Sequence, residues 1–387
     1  MNKSFFNAII LKMKALVLQE NLNKGLSIVS RIVTSKAQLP VLNNILLTTS
    51  KGRITLSATN LEIGINYWLG AKIEKEGAVS VPAKSLADFV SLLPPEKIQL
   101  EVKDNILNLS CGTYSASFIG LPAAEFPAIP SLKEEKVIPF LSEDLLKGIS
   151  QTIFAASQDE GRPVLTGVLF QVKNEELILV ATDGYRLSLK KTKAIKTLKE
   201  DKEFQKGIII PARVLAEVEK IARNQGQEKE IGLAMSSSSS QIILTTPEAE
   251  IVSRLIEGSF PEFEKIIPEK WTTKIILETD EFLRAVRTAS VFARESANIV
   301  RLKIQNSKLK ISANSPQVGE NLIELEVKQE GEDNSIAFNS RFLLDFLNSL
   351  ESSQISFEMT TPLNPGIFSP SDDSSYLHII MPVRVQE

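Results

Sequence analysis

Residues 81–94 read VPAKSLADFVSLLP, a strand end followed by about three helical turns with apolar residues at helical spacing. The pattern returns as IPARVLAEVEKIA at 210–222 and as FNSRFLLDFLNSL at 338–350. The residue that precedes each helix recurs at intervals of 129 and 128, at Pro82, Pro211 and Asn339. Because one third of the 387 residues is 129, the chain reads as a threefold internal repeat.

Each repeat also contains a strand, a polar turn and a second strand. The first copy is LPVLNNILLTTSKGRITLSATNLEI (39–63), and the second is RPVLTGVLFQVKNEELILVATDGYRL (162–187). A weaker third copy is ANIVRLKIQNSKLKISANSPQ (297–317). In this alignment TDGY at 182–185 takes the place of TNLE (59–62) and ANSP (313–316).

Amphipathic helices are a third recurring feature, predicted at 21–36, 142–157 and 279–296. In the first of them one apolar stripe is formed by Leu22, Leu26, Val29 and Val33. The order of helix, hairpin, helix and further strands predicts α+β domains with mainly antiparallel sheets and two helices on one face. With boundaries near 135 and 271, the three domains are predicted at 1–135, 136–271 and 272–387.

Composition is that of a globular protein, with 43% hydrophobic and 24% charged residues. Cys111 is the only cysteine, so no intramolecular disulfide can form, which suits a reducing cytosol. No apolar run approaches the roughly 20 residues that span a bilayer, so no membrane association is expected. Residues 1–12 are interpreted as a leader before a domain that begins near Met13, or as a start site assigned too far upstream.

Catalytic chemistry finds little support in the sequence. His378 is the only histidine and lies in an alternating strand, where a packed role is expected rather than that of a base. Cys111 has no basic neighbour that would activate it. There is no Walker lysine motif and no GxGxxG, so we predict no catalytic residue, no metal and no cofactor. An acidic pair brought together by folding, and hence an enzyme, stays open as an alternative.

The stretch TDGYRLS (182–188) follows the apolar run LILVA and predicts a strand that enters a tight turn. Gly184 can adopt a positive φ, and Asp183 tolerates one. Tyr185, Arg186 and Leu187 are expected to place an aromatic ring, a guanidinium group and an aliphatic group together at one rim of this turn. That mixture favours a docking surface over a catalytic centre, and an ordinary hairpin is the alternative.

Positive charge is concentrated in the predicted helices, although the net charge of −3 argues against a generally basic nucleic-acid binder. The windows 21–36, 83–93, 142–157, 212–223, 280–296 and 340–350 sum to +3, which leaves −6 for the rest. Lys24 and Arg31 are seven residues apart and are expected to share a face, as are Arg284, Arg287 and Arg294. Such a surface would bind phosphate backbone with little sequence preference, and solvated helix faces are the alternative.

Several motifs together resemble the bacterial DNA sliding clamp family, the β subunit of the replicative DNA polymerase, over residues 13–387. They are LPVLNNILL (39–47), LPAAEFP (121–127), RPVLTGVLF (162–170), VATDGYRL (180–187), SFPEFEKIIP (259–268) and HIIMPVRV (378–385). The resemblance implies a cytoplasmic head-to-tail homodimer that closes into a ring around double-stranded DNA. Its sheets would lie outside and two helices of each domain would line the hole. Such a ring tethers the polymerase, catalyses nothing itself and is opened by a separate ATP-driven loader.

The resemblance also implies a pocket between the second and third domains for short apolar peptides of the replicative polymerase, the clamp loader and repair proteins. By motif match its residues are Leu165, Thr182, Gly184, Tyr185, Arg186, Leu187, Pro261, Lys265, Ile266, Asn339, Phe342, Met381, Pro382, Val383 and Arg384, with Leu363 a looser match. Tyr185 stands where many members have histidine, and Lys265 where arginine is common. Ala297 replaces a larger residue of some members, and these three departures bear on peptide preference or on pocket depth.

For DNA, the resemblance matches Lys36 and Arg162 to basic positions in loops that face the hole, with Gln158 as a neighbour. Facing on the predicted helices adds Lys24, Arg31, Arg284 and Arg287. Phe118 and Phe292 match apolar positions of the family's subunit interface, and packing in the core is the alternative for both. A repeat scaffold that binds proteins but never encircles DNA is the competing functional hypothesis.

Overall fold

The computed structural model describes residues 13–33, 39–130, 137–193, 202–223, 230–236 and 240–384. Lys36 and residues 1–12, for which we made predictions, lie outside these ranges. The α-helices of the described part are α1 (Gln19–Val29), α2 (Ala83–Ser91), α3 (Ser142–Ser150), α4 (Lys202–Lys206), α5 (Ala212–Arg223), α6 (Thr279–Ala293) and α7 (Ser340–Asn348).

The strands of the first third are β1 (Lys14–Leu18), β2 (Asn44–Ser50), β3 (Arg53–Thr59), β4 (Ile63–Gly70), β5 (Lys72–Lys75), β6 (Ala78–Pro82), β7 (Lys97–Lys103), β8 (Ile106–Cys111) and β9 (Tyr114–Ile119). Those of the middle third are β10 (Ile138–Leu141), β11 (Gly167–Lys173), β12 (Glu176–Thr182), β13 (Arg186–Lys193), β14 (Ile208–Pro211), β15 (Glu230–Met235), β16 (Gln241–Thr245) and β17 (Ala249–Arg254). Those of the last third are β18 (Thr273–Glu278), β19 (Ile299–Gln305), β20 (Lys308–Ser315), β21 (Gly319–Glu326), β22 (Lys328–Gly331), β23 (Asn334–Asn339), β24 (Gln354–Met359), β25 (Gly366–Pro370) and β26 (Tyr376–Ile380).

The chain divides into two compact units, each with two antiparallel sheets. One unit comprises residues 1–142 and 220–254 and holds a five-stranded sheet, β5-β1-β7-β8-β9, and an eight-stranded sheet, β10-β15-β16-β17-β4-β3-β2-β6. The other comprises 143–219 and 255–387 and holds a nine-stranded sheet, β14-β11-β12-β13-β26-β25-β24-β18-β22, and a four-stranded sheet, β21-β20-β19-β23. The predicted α+β class with antiparallel sheets is therefore confirmed.

Three hairpins confirm the strand-turn-strand repeat. Their two-residue turns are Lys51-Gly52, Asn174-Glu175 and Asn306-Ser307, and all six of these residues have positive φ. This is the turn geometry whose twist matches that of paired antiparallel strands. The third copy departs from the alignment further on, because β20 runs through Ser315, so that most of ANSP (313–316), which aligns with TDGY (182–185), lies in a strand.

Helix starts were predicted well, but two helix ends were wrong. Helix α1 ends at Val29 and not at 36, and α3 ends at Ser150, followed by a 3₁₀ turn at Ile153–Ala155. Arg31 therefore lies beyond the helix that it was expected to share with Lys24. Within the observed bounds, α3 carries −1, α5 carries +1, and α1, α2, α6 and α7 are neutral. The predicted positive charge of the helix set is thus not present in the helices themselves.

Helix α1 lies close to its sheet at a glycine, and the core of the last third includes aromatic rings from its strands. A Cβ added at Gly25 of α1 would lie 2.8 Å from Leu56 Cδ1, so glycine allows the close approach of this helix to the sheet. In the last third, the core lies between the nine-stranded sheet, the four-stranded sheet, α6 and α7, and contains the stacked rings of Phe357 and Phe368. None of the described helices has both the length and the apolar character needed to cross a membrane.

Candidate functional site

The turn at 182–186 is built by its own side chains. The Thr182 hydroxyl donates to the Arg186 carbonyl over 2.6 Å and accepts from the Gly184 N–H. One oxygen of Asp183 accepts from the N–H groups of Tyr185 and Arg186 at 2.9 and 3.0 Å. Gly184 has φ +92°, as the Asp-Gly signal predicts.

The equivalent turn of the first third has the same bonds. Thr59 Oγ1 donates to the Ile63 carbonyl and accepts from the Leu61 N–H. Asn60 Oδ1 accepts from the N–H groups of Glu62 and Ile63. Leu61 takes the left-handed place of the glycine, with φ +75°. The turn is therefore a shared feature of the repeat, and any function specific to 182–186 must come from the side chains.

Tyr185, Arg186 and Leu187 do not share one rim, which corrects our prediction. Tyr185 is 63% exposed, whereas the Arg186 side chain is 9% exposed. Leu187 is 2% exposed and packs in an apolar cluster with Phe263 and Ile379. Strand geometry explains the separation of the last two, because successive side chains of β13 point to opposite faces of the sheet.

The Arg186 guanidinium is surrounded by groups from three segments of the chain. Nε donates to Asp183 at 3.1 Å, one terminal nitrogen donates to Asp345 of α7 at 2.5 Å, and the other donates to the Phe154 carbonyl at 2.5 Å. The centre of the Phe342 ring lies 4.5 Å from the guanidinium carbon. Arg186 thus connects the hairpin turn to helix α7.

The segment after β26 also reaches both elements. The Met381 N–H donates to the Tyr185 carbonyl at 2.8 Å, and the Val383 N–H donates to the Ala337 carbonyl of β23 at 2.8 Å. At the end of β23, the Asn339 side chain caps α7 by accepting from the Arg341 N–H. The structure therefore brings together Tyr185, Arg186, Asn339, Phe342, Met381, Pro382 and Val383, and Arg384 follows as an exposed residue.

Two further predicted residues lie at the same end of the sheet. Leu165 is buried in the 3₁₀ turn Pro163–Thr166, which follows Arg162, and a Cβ added at Gly184 would lie 3.3 Å from a terminal nitrogen of Arg162. Leu363 is exposed and precedes Gly366, which pairs with Ile380. Both flank the turn at 182–186 or the strand end that leads to Met381.

Segment 258–267 covers the apolar face to which Leu187 points. Phe263 packs with Leu187 and Ile379, while Ile266 is exposed. Pro261 and Lys265 line a separate cavity of about 580 Å³, whose other walls include Leu169, Gln171, Lys206 and Ile209. Lys265 also forms an ion pair with Glu262. Neither Tyr185 nor Met381 lines this cavity.

The predicted DNA-binding residues differ in their surroundings. Lys24 donates to Glu248 at 2.8 Å, and the Tyr67 hydroxyl donates to the same carboxylate. Arg162 pairs with Asp159 at 3.0 Å, next to the exposed Gln158. The other described cations of the set are exposed, at Arg31, Arg284 and Arg287, and the last of these donates to Asn348.

The two predicted interface residues are half-buried, one in an outer strand and the other in helix α6. Phe118 contacts Phe89 edge to face at 5.8 Å and lies in β9, the last strand of its sheet, where Ile119 is 81% exposed. Phe292 packs against the core of the last third, next to the exposed Val291 of α6. The outer strand of that sheet is β21, which exposes Leu322.

His378 has a packing role, as expected. Its Nδ1 lies 2.6 Å from the Ser188 hydroxyl, its ring stacks on Phe346, and Nε2 has no hydrogen-bond partner among the described residues. Burial and the nearby Arg186 charge hold the pKa of His378 well below its ordinary value, so the ring is neutral. Within the described ranges, no group of three or more His, Cys, Asp or Glu side chains is arranged to hold a metal ion.

Our sequence reasoning missed the partners that complete this site. Phe154 and Asp345 contact the predicted residue Arg186 but lie outside the motifs of the resemblance. Ile379 packs with Leu187 and lies within HIIMPVRV (378–385), although we did not single it out. Glu248 pairs with Lys24 across 224 positions. For Asp345 the available signal was an acid within the apolar helix sequence FLLDFL. The site therefore presents the exposed Tyr185 ring and Met381 thioether beside the enclosed guanidinium of Arg186. This arrangement is suited to binding an apolar group.

Comparison with known proteins gives one consistent family. Its models, described as the N-terminal, central and C-terminal domains of the DNA polymerase III beta subunit, match residues 13–130, 141–262 and 264–384. The beta sliding clamp of Bacillus subtilis is 31% identical over 385 residues, which cover 96% of this chain and 100% of that protein. That of Synechococcus elongatus is 30% identical and covers 97% and 100%.

Solved structures agree with these relatives. The DNA polymerase III beta subunit of Thermotoga maritima superimposes with a TM-score of 0.86 at 28% identity, covering 97% of this chain and 100% of that one. The sliding clamp of Bartonella birtlesii, solved with griselimycin bound, gives a TM-score of 0.89 at 28% identity with the same coverage. That of Pseudomonas aeruginosa, also with griselimycin, gives 0.87 at 27% identity, covering 96% and 100%.

Proposed function

Because this chain belongs to the DNA polymerase III beta subunit family of non-catalytic processivity clamps, we propose that it acts as a homodimeric ring around duplex DNA. The ring slides on DNA in the cytoplasm and tethers the replicative polymerase, while the clamp loader and repair proteins use the same docking site. The observation that carries this proposal is the convergence of the 182–186 turn, helix α7 and residues 381–383. We further propose that the three domains divide near residues 135 and 271.

The docking site is the surface formed by Tyr185, Phe342, Met381 and the exposed residues beside them. An exposed aromatic ring and a flexible thioether can bury apolar side chains of a short peptide. Because related clamps were solved with the peptide-like inhibitor griselimycin, we expect this chain to bind griselimycin here. Pro261, Lys265 and Ile266 then serve a neighbouring part of the site, along segment 258–267.

Binding of griselimycin by the purified full-length protein tests this assignment. We expect Met381→Ala combined with Arg384→Ala to weaken binding by about tenfold or more, since central contacts contribute most of the affinity. The matched control is Leu92→Ala, which trims an exposed leucine of the other unit. Unchanged affinity in the double variant would refute the assignment, and a changed dimer mass would show a wider structural effect.

The dimer is proposed to form head to tail, with β9 of one copy beside β21 of the other. Both are outer strands that expose apolar side chains, at Ile119 and Leu322. Phe118 precedes Ile119 in β9, and Phe292 belongs to α6, the helix that packs against β21. An outer strand exposes unpaired backbone groups that a second strand can bond. Two such heterologous contacts close a ring.

The mass in solution tests the dimer. We expect roughly twice 42.7 kDa for the native chain and a monomer for Ile119→Asp, because a buried unpaired carboxylate opposes the contact. Leu92→Asp is the matched control, since Leu92 is 82% exposed and Ile119 is 81% exposed. A monomeric native protein, or a dimer that survives Ile119→Asp, contradicts the proposed interface.

Contact with DNA is proposed through Arg284 and Arg287 of α6, Arg31 after α1, and Arg162 with Gln158. These are exposed side chains that need no base-specific geometry, as a sliding contact with phosphates requires. Lys24 contributes less, because Glu248 neutralises it. Lys36 stays a prediction from the resemblance.

A further inference from the structure

We propose that Arg186 is a positioning residue, which holds the 182–186 turn at a fixed distance from helix α7 through Asp345 and does not itself contact the partner peptide. This inference rests on the proposed docking site, whose two walls are that turn and that helix. It also assigns a role to Asp345 and Phe154, which no motif identifies.

The environment of Arg186 leaves little of its side chain for a ligand. Nitrogen atoms at all three positions of the guanidinium donate to protein acceptors, at 3.1, 2.5 and 2.5 Å. The ring centres of Phe342 and Phe154 lie 4.5 and 5.5 Å from the guanidinium carbon, within the range of cation–π attraction. With 9% of the side chain exposed, a peptide in the docking site meets Tyr185 and Met381 instead.

The three acceptors belong to different segments, so one side chain fixes three parts of the chain. Asp183 is in the turn, Asp345 is in α7, and Phe154 belongs to the 3₁₀ turn Ile153–Ala155. Phe342 is one helical turn before Asp345, so the ion pair also sets where this ring lies. A shift of α7 away from the turn would break the ion pair and the ring contact together.

Arginine is suited to this position in a way that lysine is not. Its planar fork can donate to separate acceptors in fixed directions, whereas an ammonium is a point charge on a flexible stem. Lysine at 186 would keep the positive charge but could not reproduce the three contacts. The same reasoning predicts that Asp345→Glu preserves most of the affinity of the docking site, because the variant keeps a carboxylate that can pair with Arg186.

The test is a double-mutant cycle on griselimycin affinity in the full-length dimer, with Arg186→Lys, Asp345→Asn and both together. We expect about a tenfold loss for each single variant and no further loss for the double variant, because both remove the same link. Asp345→Glu should recover most of the affinity. Losses that multiply in the double variant, or an Asp345→Asn variant that binds normally, would overturn the inference.

Two controls separate positioning from general damage. Glu358→Gln removes a comparable ion pair of the same unit, to Lys274 at 2.9 Å, and should leave affinity unchanged. Melting temperature and dimer mass should be unaltered in every variant that loses affinity. If the melting temperature changes instead, amide hydrogen exchange distinguishes positioning from general damage. Loss of the Arg186–Asp345 link must speed exchange in residues 182–186 and 340–348, and exchange that is unchanged there would overturn the inference. Failure of the native protein to bind griselimycin would contradict the docking site, not only the role of Arg186.

Discussion

Leu61 and Gly184 occupy the same left-handed position of equivalent turns, with φ +75° and +92°. For leucine this backbone conformation is strained, whereas asparagine tolerates it. We therefore predict that Leu61→Asn raises the free energy of unfolding by about 0.5–1 kcal/mol, measured by urea denaturation. Leu92→Asn is the control: because Leu92 has φ −93°, this substitution should not raise the free energy of unfolding. An equal gain in both variants would contradict the strain at residue 61.

His378 makes stability depend on pH in a defined window. Its pKa is lowered in the folded protein by burial and by the Arg186 charge, so the unfolded chain binds the proton first as pH falls below about 6.5. The free energy of unfolding should therefore fall between pH 7 and 5.5, by at most about 1.4 kcal/mol per pH unit.

His378→Gln removes this titration, and His378 is the only histidine of the chain. The pH dependence of thermal unfolding between pH 7 and 5.5 should accordingly be weaker in the variant than in the native protein. Equal slopes in the two proteins would show that His378 does not titrate differently on folding.

At the residue scale, the sequence predicted the turn itself but not the environment of each side chain. The Asp-Gly pair predicts a left-handed turn from local sterics alone. Nothing local indicates that Arg186 is enclosed by Phe154 and Asp345, because these residues are 32 and 159 positions away. The predicted common rim was wrong for this reason.

Among the elements, helix ends were harder to predict than helix starts. After Val29, the chain continues with N–H donors of Ile32 and Val33 bonded three residues back, so apolar spacing persists without an α-helix. The spacing of apolar residues alone cannot distinguish an α-helix from a following segment with hydrogen bonds to the third residue back. Because Arg31 lies in this region, the charge assigned to the helix was overestimated.

Helix α6 offers the clearest test of DNA contact at this scale. Reversal of Arg284 and Arg287 to Glu should weaken DNA binding and lower the salt slope by about 2, since each lost phosphate contact removes about one counterion. Binding measured at several salt concentrations gives both quantities.

Lys308 and Lys310 of β20 provide a control with the same change in net charge. They alternate with Leu309 and Ile311, which pack in the core with α6, so they point to the opposite face of that sheet. Their reversal to Glu should leave the salt slope unchanged. A larger effect from these lysines than from the two arginines would contradict the proposed DNA face.

For the whole molecule, the repeat predicted three similar domains but not how their strands combine. Strand β4 of the first third pairs with β17, and β13 of the middle third pairs with β26. The middle third therefore contributes strands to two large sheets, one in each compact unit. Local pattern predicts strands, whereas pairing of strands nearly 190 residues apart depends on contacts that no single stretch encodes.

The central claim is a closed ring that is retained on DNA by topology and not by tight contact. The direct measurement is retention after loading onto nicked circular duplex DNA with the clamp loader and ATP, followed by one cut with a restriction enzyme. We predict that the protein stays on the circle at high salt, leaves after the cut, and stays on linear DNA whose ends are blocked. Equal retention on circular and open linear DNA would contradict the account and favour a scaffold that does not encircle DNA.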